Sequence, residues 1–563
     1  MTRASQTIVG ILQDHARRDG ARLALTFLRR GEIATDGTTY AELDQHARAV
    51  AACLRAADLA GKGVLLITPP GIDFVRCFLG CLYAGAYAIP VPYAQRGQGM
   101  ERTLRIAEHA RPHAVLSPQV PDAAMLDRIN LPGGRRPMHI TPLDALAHVP
   151  LDIIPEPAAD APAFIQYTSG STRAPKGIVV THRNIVANQE MIRSAFGHDR
   201  DTIVVSWLPL HHDMGLIGSI LQPLYLSAKC ILMSPLDFLQ RPVRWLRAIS
   251  TYRATTSGAP NFAYDLCARH ISDADAADLD LSSWKLAFCG SEPVRHGTMQ
   301  RFADRFAASR FSSDALYPCY GLAEATLFVA GREHGSRWMT RTFDRRHFAA
   351  LTADATMQQP LVCCGRPRGD GQIVIIDTST SLAAPEGEIG EICVAGQHVS
   401  PGEWSASSPG GILPHTERMV RIAQTDYLRT GDAGVMASGE LFVVGRLKDM
   451  VIVRGVNIFA EDVEDTLMSQ AGASQVTAAA AVAVEGTATE ELVILCEIER
   501  ESRGMTSFDE RVKQWRSAVA DLHGVQGRIV LVAPGALPRT TSGKIQRGAA
   551  RSAYLDGTLP LLK

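Results

Sequence analysis

Residues 164–178 read FIQYTSGSTRAPKGI, with glycine, serine and threonine crowded around one lysine between two β-prone runs. The preceding AFIQYT alternates and the following GIVVTH is β-branched, so the stretch predicts a strand–loop–strand hairpin. The loop differs from two familiar nucleotide-binding patterns. Lys176 is preceded by Pro175 and followed by Gly177, which breaks the Gly-Lys-Ser/Thr signature, and no GxGxxG follows a strand. In a hairpin an anion has no helix dipole to meet. It would be held by backbone N–H groups, by the hydroxyls of Thr168, Ser169, Ser171 and Thr172, and by the Lys176 ammonium, with Gly170 admitting close backbone approach. By composition alone a solvated turn is the plainer reading, so partners elsewhere in the chain have to decide.

Outward from the hairpin, helix and strand alternate through most of the chain. Residues 40–58, YAELDQHARAVAACLRAAD, carry apolar positions at helical spacing; GVLLITPP follows as a short buried strand, and GIDFVRCFLGCLYAGAYAIPV repeats helix and strand. This predicts layered α/β architecture with largely buried sheets. Irregular structure is expected at 118–136, 331–360 and 400–424, which are rich in Pro, Gly, Ser or charge. A boundary is expected near VVGRLKDMVIVRGVNIFAEDVEDTL: a strand ends at Gly445, a charged RLKD follows, and the strand MVIVRG leads into a helix opened by Glu461 and Asp462. The last ~115 residues, from Lys448, suffice for a small α+β domain.

With 563 residues the chain exceeds one hydrophobic core, so at least two folding units are expected. Lys plus Arg (57) balances Asp plus Glu (58), which excludes the strong basic field of a nucleic-acid or acidic-membrane binder. The N-terminal MTRASQTIVGILQDHARRDG fits neither a signal peptide nor a targeting helix, and no uncharged run of 18 apolar residues occurs, so a cytoplasmic location is expected. The eleven cysteines, scattered from Cys53 to Cys496, lack zinc-ligand spacing even in CFLGC and at 363–364; they read as reduced, buried thiols.

Four further clusters accompany the loop: SWLPLHHDMGLIG (206–218), YPCYGLAEATLF (317–328) with Glu324 in an apolar setting, YLRTGDAG (427–434), and LPRTTSGKIQR (537–547) with Lys544 on a Gly-Ser-Thr turn. Singly, each is more simply a structural feature. In this order and spacing they resemble the adenylate-forming superfamily of acyl- and aryl-CoA synthetases, luciferases and adenylation domains, over essentially the whole chain. SGAPNFAYDLCARH and WKLAFCGSEPV, with the loop, the His-Asp motif and the Glu324 segment, look like the fatty acyl-AMP ligase branch in particular.

The resemblance implies a large N-terminal domain, 1–446, of layered α/β subdomains with mixed sheets and a distorted β-barrel, and a small mobile α+β domain, 447–563. Thr168 to Lys176 would grip the β- and γ-phosphates of ATP, with Thr172 and Glu324 positioning Mg²⁺. Gly290, Ser291, Glu292 and Pro293 would frame the adenine with Tyr320 and Gly321. Asp432, helped by Arg446, would accept the ribose hydroxyls. Lys544 would reach the carboxylate and α-phosphate from the C-terminal domain, hinged at Lys448. By register His212 is the motif histidine beside the acyl tunnel and the phosphates; Trp207, Met214, Gly215, Gly258, Ala259, Asn261 and Phe262 would line the acyl site. His211 stands where the family usually has an aromatic residue and reads as packing, with an extra proton acceptor as the alternative. CCGRP and SPGEW also depart from the family pattern, at peripheral positions.

The chemistry so implied makes a carboxylate into an acyl-AMP anhydride and passes the acyl group to the phosphopantetheine thiol of an acyl carrier protein. About five negative charges converge near neutral pH, so charge neutralisation and positioning dominate. No nucleophilic Ser or Cys is required, and no GxSxG is present. The resemblance implies that residues 333–360 are the family's insertion, which goes with loss of the coenzyme A reaction; by composition alone they read as an ordinary surface excursion with an arginine-rich face. The competing readings are a fatty acid:CoA ligase and a degenerate, non-catalytic acyl or nucleotide binder. The second would predict damaged motifs, and Thr172, Lys176, Glu324, Asp432 and Lys544 are all present.

Overall fold

The computed structural model describes residues 7–93, 97–119, 123–129, 131, 135–168, 175–344, 358–453, 456–471, 476–485, 490–498, 508–523, 525–540, 543 and 545–562. They form two compact units: Met1–Trp338 with Gly365–Ile373 and Val394–Leu428, and Met339–Cys364 with Val374–Cys393 and Arg429–Lys563.

The first unit is built on two large mixed sheets. One has nine strands in the order Arg366–Pro367, Phe328–Gly331, Leu316–Gly321, Leu286–Cys289, Thr256–Ala259, Ile203–Ser206, Lys229–Met233, Leu23–Arg29, Ile33–Thr39. Its middle pairs are parallel and its outer pairs antiparallel. The other has eight, in the order Ile412–Pro414, Gly402–Trp404, Gly177–Thr181, Pro162–Tyr167, Tyr87–Pro90, Gly63–Leu66, Ala114–Leu116, Met138–Ile140. Their central strands read as continuous apolar runs because both faces are covered. The layered α/β expectation holds, as does the helix read at 40–58: Tyr40–Ala56 starts in a capping box of Thr39 and Glu42. The opening stretch is a hairpin, Pro162–Tyr167 antiparallel to Gly177–Thr181.

The expectations of irregular structure are corrected: residues 118–136 contain the helix Ala123–Arg128 and residues 331–360 the strand Thr340–Asp344. Residues 400–424 contain the strands Gly402–Trp404, Ile412–Pro414 and Met419–Ile422. Runs of three and four residues are too short to print an alternation, and Gly402–Trp404 is a strand because Gly177–Thr181 offers it a ladder.

In the second unit, strands Val476–Glu485, Glu490–Ile498 and Gly527–Val532 form a sheet with helices Ala460–Ala471, Phe508–His523 and Arg547–Leu555, an α+β arrangement. The core formed by Val451, Ile458, Val463, Leu467, Ile494, Trp515 and Val519 draws on residues from 451 onward. The single strand expected at MVIVRG is a hairpin, Met450–Val453 with Val456–Phe459. Part of the expected insertion is also paired: Thr340–Asp344 runs antiparallel to Gln358–Val362, while 345–357 lie outside the described residues. Of the eleven cysteines, ten are buried and Cys319 is half-buried. No described helix is long and apolar enough to cross a membrane.

Arg547 opens the helix after the Lys544 turn and is surrounded by three acids, at 3.2 Å from Asp449, 2.9 Å from Glu461 and 2.7 Å from Glu464. One cation does not balance three acids of which two, Glu461 and Glu464, are buried. Burial pushes the Glu461 carboxyl up, Arg547 offsets part of this, and Glu464 and Asp449 push further, to about 7. The unfolded chain therefore releases this proton first, and stability falls as pH rises from about 4.5 to about 7. Glu461→Gln is expected to flatten that slope and raise the melting temperature at about pH 8 while leaving it unchanged near pH 4. Thermal melts across this range test it; a variant that melts like the wild type at the higher pH would refute the assignment.

Candidate active site

The loop is closed where the hairpin's ladder ends. Tyr167 faces Gly177, the Thr168 N–H donates to the Lys176 carbonyl at 3.1 Å, and Arg102 donates to the Thr168 carbonyl at 3.3 Å. Ser169, Gly170, Ser171 and Thr172 lie outside the described residues, as does Lys544.

At the mouth of the hairpin the Lys176 ammonium lies 2.8 Å from Glu403 Oε1 and 3.4 Å from Glu324 Oε1. Arg418 Nη1 meets the same Glu324 oxygen at 2.8 Å. The enclosed His415 ring stands 3.7 Å from Glu403 Oε1, and neither ring nitrogen has a hydrogen-bond partner among the described residues. Strand order explains the encounter. Glu403 is opposite Ile178, two residues beyond Lys176, the spacing that returns to the same face of a strand. Burial pushes the Glu324 carboxyl up, but Arg418 and Lys176 outweigh it and hold it below the usual carboxylate range. Glu324 is thus an enclosed, ionised oxygen donor, the ligand type Mg²⁺ takes. No three His, Cys, Asp or Glu among the described residues form a cage of their own. A divalent ion at Glu324 would complete its shell with phosphate oxygens and water, the usual way Mg²⁺ is held beside a nucleotide.

The histidine pair follows strand Ile203–Ser206. Burial, then His212 and Arg102, push the His211 imidazole down to about 3, so it is neutral at physiological pH. His212 Nδ1 lies 2.5 Å from Asp213 Oδ1, and Asp213 also accepts the Met214 N–H at 2.7 Å, capping the π-helix Met214–Leu221. Gly215 leaves no choice of residue: a Cβ there would lie 2.2 Å from the Pro209 carbonyl oxygen. Trp207 is buried and stacked on Phe238 at 3.9 Å, its edge toward Phe262 at 6.2 Å. Gly258 and Ala259 lie on strand Thr256–Ala259, where Ser257 accepts the Trp245 indole N–H at 2.8 Å.

The two segments read as adenine-framing and acyl-lining are bonded to each other. Glu292 accepts the Phe262 N–H at 2.6 Å, and Asn261 Oδ1 accepts the Arg295 N–H at 3.1 Å. Gly290, Ser291 and Pro293 lie on the bend that follows strand Leu286–Cys289, with Ser291 at φ 72°. Tyr320 is buried on strand Leu316–Gly321, opposite Ala330. At Gly321 a Cβ would lie 1.9 Å from the Leu327 carbonyl oxygen, so only glycine lets the turn bearing Glu324 fold back.

In the second unit Asp432 is buried and faces Arg446 across the ladder, with Arg446 Nε 3.2 Å from Asp432 Oδ1. The Thr-Gly-Asp turn is set by Glu391, which takes Arg429 at 2.6 Å and the Gly431 N–H at 2.9 Å. Lys448 is exposed in the short helix Leu447–Asp449. The structure brings Lys176 and Glu324 together and joins the Glu292 and Phe262 segments, and it pairs Asp432 with Arg446. Glu403, Arg418, His415, Arg102 and Glu391 escape sequence reasoning; the one available signal is a lone acid, Glu403, between Gly402 and Trp404.

The pattern of the family described as AMP-binding enzyme matches residues 12–404. The chain is 35% identical to the medium-chain-fatty-acid–[acyl-carrier-protein] ligase JamA of Moorena producens, over 98% of this chain and 96% of that protein. It is 35% identical to the long-chain-fatty-acid–AMP ligase FadD26 of Mycobacterium marinum, over 98% and 97%. Among solved structures, the fatty acyl-adenylate ligase of Legionella pneumophila in complex with acyl adenylate and pyrophosphate is 36% identical, with a TM-score of 0.71 over 99% of this chain and 97% of that one. The chain therefore belongs to the AMP-binding enzyme family.

Proposed function

We propose that the protein is a fatty acyl-AMP ligase: it condenses a fatty acid with ATP to acyl-AMP and pyrophosphate, then passes the acyl group to the phosphopantetheine thiol of an acyl carrier protein. The observation that carries this reading is the Lys176 ammonium 3.4 Å from the ionised Glu324 at the mouth of the Ser/Thr/Gly loop. A cation on the loop and a carboxylate beside it are what a triphosphate with a divalent counter-ion requires. The names carried by the two relatives and the ligands of the Legionella structure support the same chemistry.

In this reading Thr168 to Lys176 hold the β- and γ-phosphates, and Lys176 steadies the departing pyrophosphate. Glu324 and the Thr172 hydroxyl would hold Mg²⁺, which when bound would supply charge neutralisation on the phosphates. The carboxylate oxygen attacks the α-phosphorus, and Lys544 stabilises the charge that develops there. Asp432 with Arg446 orients the ribose, Tyr320 and the 290–293 turn the adenine. The acyl chain lies along the wall from Trp207 to Gly215 and from Gly258 to Phe262. His211, neutral and packed, stays outside the proton inventory. The domain of residues 447–563 carries Lys544 and swings at Lys448, which clears one face for the acceptor thiol.

Incubation of the purified protein with fatty acid, ATP, Mg²⁺ and coenzyme A, in parallel with a carrier protein in place of coenzyme A, tests the proposal. Acyl-AMP should accumulate with coenzyme A and be consumed on the carrier protein. Abundant acyl-CoA would assign the chain to the CoA ligases instead.

A further inference from the structure

The Glu324 turn is held by a residue that no part of the proposed chemistry uses. Thr326 has φ 66° and ψ −64° and is fully buried. The Leu327 N–H donates to the Ala325 carbonyl at 2.7 Å, closing a γ-turn of the rare positive-φ form around a β-branched residue. Such a conformation persists only where its surroundings over-determine it, and here they do. The Thr326 hydroxyl donates to the His398 carbonyl at 2.6 Å. The buried Asn188 side chain donates to the Phe328 carbonyl at 2.8 Å and accepts the Phe328 N–H at 3.1 Å. The Ser400 N–H donates to the Glu324 carbonyl at 2.8 Å.

These bonds converge on helix His182–Phe196, which starts directly after the loop's second strand. Asn184, one helical turn before Asn188, donates to the Gln397 and Val399 carbonyls at 2.7 and 3.0 Å. One helix thus grips both the 397–399 segment and the turn, and the Thr326 hydroxyl ties the two together. A connection between strands Leu316–Gly321 and Phe328–Gly331 could be made by an unstrained turn with glycine. The strained threonine instead fixes the backbone two residues from the Glu324 carboxylate.

We propose that Thr326 is a positioning residue: through its hydroxyl bond to His398 it holds the Glu324 carboxylate against Lys176, and so sets how tightly the chain takes Mg²⁺ together with ATP. The inference rests on the fatty acyl-AMP ligase reading. Two variants test it. Thr326→Ser keeps the hydroxyl; Thr326→Gly removes it while adopting the positive φ without strain, so it folds. Calorimetric titration with a non-hydrolysable ATP analogue at stepped Mg²⁺ concentrations should show Thr326→Ser close to wild type. Thr326→Gly should need about 10-fold more Mg²⁺ for half-maximal binding, with the KM for fatty acid unchanged. A wild-type Mg²⁺ dependence in Thr326→Gly overturns the proposal, as does equal impairment of both variants, which would assign the role to packing. Failure of the wild type to bind the analogue at any Mg²⁺ concentration would overturn the ligase reading itself, and this inference with it.

Discussion

Lys544→Ala is expected to lower acyl-adenylate formation by about 10³-fold while leaving transfer from preformed acyl-AMP to the carrier protein near its original rate. Fatty carboxylate and ATP repel each other, and in the proposed reading Lys176 serves the far phosphates, so the α-phosphorus needs a cation of its own. The residues around Lys544 suit its presentation from a fixed base. The Gln546 N–H donates to the Pro538 carbonyl at 2.8 Å, Arg539 bridges Ile545, and the Leu537 N–H donates to the buried Glu497 at 3.1 Å. Helix Arg547–Leu555 follows at once, anchored by Arg547 among its three acids. Pyrophosphate release would report the first step and carrier-protein loading from synthetic acyl-AMP the second. Adenylation at the wild-type rate in the alanine variant would remove Lys544 from the mechanism, and loss of both steps alike would point to damage of the domain.

Glu324→Gln is expected to cost about 10²-fold in kcat/KM for ATP, with the KM for fatty acid little changed. Glutamine keeps the shape but not the charge, so Lys176 would keep Glu403 while Arg418 would lose its ion pair with Glu324. Stability should change with a defined sign. The Glu324 carboxyl is held below its usual range in the folded protein, so its contribution is present at neutral pH and is lost as pH falls through that lowered value. The wild type should lose melting temperature on acidification below the ordinary carboxylate range, and the variant should start lower and lose less there. Steady-state kinetics at saturating fatty acid, with melts from neutral to acid pH, would check both halves. An unchanged ATP dependence would sink the role assigned to Glu324.

Much of the architecture is legible because it is local. The alternation of AFIQYT and the β-branched GIVVTH specify two strands, and the short loop between them forces them antiparallel. Thr39 and Glu42 at capping spacing start a helix whatever surrounds it. The apolar runs at 63–66 and 87–90 announce strands covered on both faces. Where the reading failed, the signal was short or shared. A three-residue strand such as Gly402–Trp404 has no periodicity to detect, and MVIVRGVNIF reads as one β-prone run although Val453 and Val456 are paired across a reversal.

The site divides in the same way, and by the same physics. The sequence by itself supplied a Ser/Thr/Gly loop with Lys176, an acid at 324, an Asp at 432 and a lysine at 544, and only their order and spacing, through the family they resemble, made the loop more than a polar turn. Only the tertiary structure decided that Glu324 is shared by Lys176 and Arg418, 148 and 94 residues away. It also decided that Glu403 flanks the loop, and that Thr326 and Asn188 hold the turn. Each of those contacts depends on which strands lie side by side, a choice made by burial across the whole sheet. A buried carboxylate reveals its counter-charges only when the chain has folded around it.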